Sequence, residues 1–108
     1  MTYYDSLETR SPVEREAWLM ARLPQQLALA RRKSAYWRQR LADVAVNSIG
    51  SRAALATLPL LRKSKLGELQ CAAPPFGGLT ATPMTGLSRV FASPGPIYDP
   101  EGQGQDWW

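Results

Sequence analysis

Histidine is absent from this chain and cysteine occurs once. Without histidine, the commonest general base and the commonest metal ligand are both missing. A cysteine with no histidine partner makes a poor nucleophile, so Cys71 reads as a half-buried spacer and not as a catalytic thiol. One cysteine closes no internal disulfide, which fits a reducing compartment. Long apolar runs are missing too. The longest, Ala53 to Leu61, is broken by Thr57 and Pro59 and falls far short of the ~20 residues that span a bilayer. The opening MTYYDSLETR has no basic region leading into an apolar core, so it is not read as a secretory signal. These absences place the chain in the cytoplasm with no membrane partner. The carboxylates are scattered, with Glu14 and Glu16 on different sides of a helix and Asp99 and Glu101 in a loop. No acid/base pair, catalytic residue or metal ligand set emerges, and a self-contained enzyme is not expected.

What is present is globular in character. Apolar residues make up 44% of the 108 and charged residues 20%, which excludes a disordered chain. The net charge of +4 is mild, and its one concentration is Arg31, Arg32, Lys33, Arg38 and Arg40, with Tyr36 and Trp37 between them. Cations for phosphates and rings for bases form a known nucleic-acid pattern. A solvated helix face is the plainer reading, because five acidic groups offset the eight basic ones in residues 1–44.

Seven of the eight glycines and six of the nine prolines follow residue 66, so the chain divides into a helical part and a turn-rich part. Ser11-Pro12-Val13-Glu14 forms a capping box with proline at the tolerant first position. Met20, Leu23, Leu27 and Ala30 recur at helical spacing behind it, predicting one helix kinked at Pro24, or two that abut there. Ser34 caps a second helix over 35–43, Ser51 a short one over 52–58, and Ser64 another over 65–70. The first two helices are expected to pair through Leu23, Leu27, Trp37 and Leu41. Residues 87–92, LSRVFA, suit a strand. Gly77-Gly78 and Ser93-Pro94-Gly95-Pro96 read locally as structural turns. The end, DWW, resembles the start of a helix capped by Asp106, with Trp107 and Trp108 in its first turn. On that ground the chain is expected to be the front of something longer. A free-standing helical interaction module, with a partner covering the two tryptophans, is the alternative.

The order of motifs resembles the N-terminal part of the phenylacetate–coenzyme A ligase family of adenylate-forming, AMP-binding enzymes. A tyrosine-centred YWRQRL at 36–41 comes first, then LPLLRKSKL at 58–66, PFGGL at 75–79 and LSRVFASPGPIYDP at 87–100. The resemblance implies a mainly α segment, a kinked helix plus two or three short helices. This leads into one or two β-strands and a Gly/Pro-rich loop of a larger α/β fold. Residues 1–71 would be a helical subdomain and residues 72–108 the entry to the large AMP-binding domain. It also implies a reaction in which ATP and Mg2+ convert an aryl carboxylate to an acyl-adenylate and coenzyme A then takes the acyl group. The partners would be the carboxylic acid, ATP, CoA and the remainder of the polypeptide. In such enzymes the loop after the strand, typically ASSGTTGKP, wraps the ATP phosphates. Of its nucleotide-binding positions Ser93 and Gly95 match here, whereas both threonines, the second glycine and the lysine do not. The segment alone is therefore expected to be inactive.

Overall fold

The computed structural model describes residues 2–104. The expected helix over 105–108, with Asp106, Trp107 and Trp108, lies outside the described residues. Asp5 opens the chain's first turn, accepting from the Leu7 amide at 2.8 Å ahead of a 3-10 segment, Ser6–Thr9. Helix α1, Pro12–Lys33, follows. Its capping box closes in both directions: the Glu14 amide donates to Ser11 Oγ at 3.2 Å and the Ser11 amide to Glu14 Oε2 at 2.9 Å. Pro24 lies inside α1, which continues to Lys33 as one helix. Trp18 is covered by two cations, with Arg22 3.9 Å and Arg10 4.8 Å from its ring centre.

Ser34 ends α1 and caps α2, Ala35–Arg40. Helix α2 is shorter than expected because Leu41 leaves helical geometry and turns into the interior, where it is 1% exposed. Helix α3, Arg52–Leu55, has its Ser51 cap as expected. It gives way to tighter turns at Thr57 and Leu58, and the Thr57 hydroxyl takes the Ala54 carbonyl. Helix α4, Leu66–Ala72, begins two residues beyond the expected cap. Ser64 falls within a 3-10 turn, Lys63–Lys65, and the chain enters α4 from Lys65 already near helical geometry, with no side-chain cap.

Strands β1, Arg89–Ser93, and β2, Ile97–Glu101, form an antiparallel hairpin, in register from Arg89 opposite Glu101 to Ser93 opposite Ile97. β1 starts two residues later than the 87–92 expectation. β2 is the second of the one or two strands expected, and it contains Asp99 and Glu101, which the sequence alone places in a loop.

The buried apolar side chains are Leu41, Val46, Ile49 and Phe76, just beyond α2 and before the hairpin. Of the four expected core residues only Leu41 is fully buried; Leu23, Leu27 and Trp37 are half-buried, and no residue of α1 is buried. α1 packs on α2 and on the Val46–Ser48 turn along one side and leaves Val13, Leu19 and Leu29 exposed. Cys71 is exposed, not half-buried, because α4 turns Gln70 inward instead.

One junction ties the start of α2 to the PFGG turn. Ser34, 1% exposed, donates to the Gly78 carbonyl at 2.9 Å while accepting from the Trp37 amide, and the Tyr36 amide donates to the same carbonyl at 2.9 Å. Gly77 and Gly78 have φ of +65° and +71°. A β-carbon on Gly77 would lie 3.0 Å from the Leu69 backbone. The PFGG turn thus needs glycine for backbone angle and for close approach together.

Candidate functional site

The hairpin carries both sequence-assigned nucleotide positions. Ser93 ends β1 and Gly95, at φ +147°, sits in the three-residue turn that joins the strands. The turn is poor in donors because Pro94 and Pro96 have no N–H, leaving Gly95 alone among residues 94–96. The Ser93 hydroxyl lies 3.4 Å from the Ile97 carbonyl, a long contact that a competing acceptor could replace. Cationic help is also short. Arg89, the basic residue of the hairpin, is held by both oxygens of Glu101 at 2.5 and 3.1 Å, which raises its pKa. Two donors without a cation fit one or two phosphate oxygens. They do not fit the charge of a triphosphate.

The hairpin is docked to the helical part by one side chain. Gln70, 8% exposed, donates from Nε2 to the Tyr98 carbonyl at 2.8 Å and accepts the Tyr98 amide on Oε1 at 2.9 Å. Its carboxamide thus pairs with β2 as a third strand would. Tyr98 lies opposite Ala92, so these backbone groups point away from β1. Pro100, two residues on, has no amide to offer that edge. A cavity of about 320 Å³ opens beside this clamp, lined among others by Gln70, Phe76, Thr80, Tyr98 and Asp99. Gln70 and the place of the second strand, 97–101, are what sequence reading missed. Their signal is weak, since a glutamine on a short helix and a DPE strand end both resemble surface.

The basic cluster divides. Arg31, Arg32 and Arg38 line one cavity between α1 and α2. Trp37 faces elsewhere, onto an apolar groove with Leu27, Leu41, Leu55 and Leu58, and the Tyr36 ring stands edge-on to it at 5.1 Å. Trp37 is thus turned away from the cations of that cavity. Among the described residues, no three His, Cys, Asp or Glu side chains gather to hold a metal, and no helix is long and apolar enough to cross a membrane.

No family model matches the sequence, and no curated protein does. Solved structures match. An open conformation of 2-hydroxyisobutyryl-CoA ligase in complex with 2-HIB-AMP and CoA aligns over 95% of this chain with a TM-score of 0.78 and 22% identity. The same ligase in the postadenylation state with 2-HIB-AMP gives 0.76 and 24% over 85% of the chain. The chain has the fold of one part of an acid–CoA ligase. It spans 24% and 20% of the length of those two structures. As the motif order implied, mainly helical structure leads into a strand pair, and this arrangement matches a fragment of a larger adenylate-forming α/β fold.

Proposed function

We propose that the chain is a segment of an adenylate-forming acid–CoA ligase, with residues 1–71 capping the large domain and residues 72–108 entering it. The observation that carries this is the fold shared over 95% of the chain with a ligase described with an acyl-AMP and CoA. The reaction joins a carboxylate to the α-phosphate of ATP with loss of pyrophosphate. The CoA thiol then attacks the acyl carbon and AMP leaves, Mg2+ serving to offset phosphate charge. The contribution of protein groups to such chemistry is chiefly positioning and charge stabilisation. In this reading Ser93 and Gly95 face the phosphates and offer one hydroxyl and one amide. Most of the opposing charge comes from outside this segment, so the segment alone is inactive.

An aryl acid of the phenylacetate type is the proposed substrate, on the motif order from Tyr36 to Ser93. The neighbour's name makes a short hydroxy acid the competing choice. Expressing the whole open reading frame that contains this chain and following acid-dependent pyrophosphate release, then thioester formation, tests both levels. Release with phenylacetate supports the full reading. Release only with 2-hydroxyisobutyrate keeps the ligase and changes the acid, and no release with any carboxylic acid sinks the ligase.

A second reading rests on the apolar groove of about 450 Å³ between α1, α2 and the segment after α3. It favours a helical module that docks another surface through Leu27, Trp37 and Leu58.

A further inference from the structure

Three arginines meet at one cavity with nothing to neutralise them. The cavity, about 570 Å³, is lined by Ala28, Arg31, Arg32, Arg38 and Ala42, and no carboxylate is among them. The ion pairs among the described residues involve other cations: Arg52 with Glu16, Lys65 with Glu68 and Arg89 with Glu101. Basic residues in the last turn of α1 complement the helix dipole, and that accounts for Arg31, Arg32 and Lys33. Arg38 lies likewise in the last turn of α2, but the dipole does not account for its convergence with Arg31 and Arg32, which the tight turn at Ser34 brings about.

Two of the three guanidinium groups are held in place. Arg31 Nη1 donates to the Val44 carbonyl at 3.0 Å and Arg38 Nη2 to the Arg32 carbonyl at 3.1 Å. A guanidinium has five N–H donors, so each keeps most of its set for a ligand. The alanine walls add no acceptor that would repel an anion. We propose that Arg31, Arg32 and Arg38 form a binding site for a phosphomonoester, a phosphate dianion carried on a small organic body.

Forked, planar donors match the oxygens of phosphate, and three of them suit a dianion better than a carboxylate with a single charge. The depression opens broadly to solvent, with Arg32 and Arg38 exposed, and so leaves room for more than the phosphate. An adjoining cavity of about 400 Å³ shares Arg38 and runs past Lys33 to Thr80 and Thr82, and the organic body lies there. A nucleic-acid strand fits less well, since Trp37 faces the apolar groove and offers bases no platform beside the arginines. The site is independent of the ligase reading.

The test uses the 108-residue chain with isotope-labelled alanine methyl groups, because Ala28 and Ala42 report on the cavity directly. Titrated phenyl phosphate should shift both methyl signals saturably, and benzoate should bind about tenfold more weakly or worse. Arg32→Gln and Arg38→Gln should each weaken phenyl phosphate by about tenfold or more. Arg40→Gln, outside the cavity, should change nothing. Arg38 also ties α2 to α1, whereas the Arg32 side chain makes no hydrogen bond among the described residues, so Arg32→Gln separates loss of the site from loss of the fold. Equal binding of benzoate, full binding by Arg32→Gln, or no saturable shift at either methyl overturns the proposal. Tighter binding of oligothymidylate than of phenyl phosphate overturns it in favour of a nucleic-acid surface.

Discussion

The helices and the hairpin of this chain are secured by different kinds of hydrogen bond. In the helical part the controlling contacts are local. Ser11, Ser34 and Ser51 each accept from an amide three residues on. In the hairpin the controlling contact is distant, since Gln70 reaches Tyr98 across 28 positions. The first kind forms wherever the local sequence is right. The second exists only after α4 and β2 have been brought together, so the hairpin's placement depends on the helical part and not the reverse.

The largest expected effect attacks the helical part, on which the hairpin's placement depends. Leu41→Ala removes the most buried apolar side chain and should cost about 2–5 kcal/mol. Hydrogen exchange should accelerate in α2 and the hairpin alike. Hairpin amides that stay protected while α2 exchanges would show the hairpin's placement to be independent of the helical part.

Gln70→Leu comes next and should separate the regions. It leaves the Tyr98 amide and carbonyl without partners in a half-buried position, at a cost of about 1–3 kcal/mol. Exchange should rise at Tyr98 and not at the amides of α1. Gln70→Glu sharpens the point. An ionised carboxylate still accepts from the Tyr98 amide but has no proton for the carbonyl, so docking should improve as pH falls and the carboxyl protonates. A Gln70→Glu hairpin whose protection ignores pH would refute the clamp.

Ser34→Ala should cost about 0.5–2 kcal/mol, because it removes the cap of α2. It also removes one of the two donors to the Gly78 carbonyl, so the PFGG turn should loosen along with the helix. Circular dichroism alone would miss this, and the Gly78 chemical shift would not.

The smallest effect is purely local. Hydrogen bonds from the Ser11 hydroxyl and amide lower the pKa of Glu14 from the ordinary 4.5. A lowered folded-state pKa means stabilisation that is complete above the unfolded value and lost as pH falls through the folded one. Denaturation of Glu14→Gln should therefore show a shallower loss of stability in acid than the parent. The change should stay within the first turns of α1.

Sequence determined what depends on near neighbours. Serine caps, proline at the start of α1 and apolar spacing over 12–33 each act within a turn or two, so α1 and the starts of α2 and α3 were legible. The motif order from Tyr36 to Ser93 was enough to indicate the larger fold, although identity to the solved ligases is only 22–24%. Tertiary structure decided the rest. Ser64 has the right chemistry for a cap, yet it lies inside the 3-10 turn that leads into α4 and makes no cap. Val46, Ile49 and Phe76 lie outside long periodic helices, so no pattern marked them as core. Gln70 looks like surface until β2 arrives, and Arg38 belongs with Arg31 and Arg32 only because the chain reverses at Ser34. Such partners are far apart along the chain, and packing alone brings them within hydrogen-bond reach.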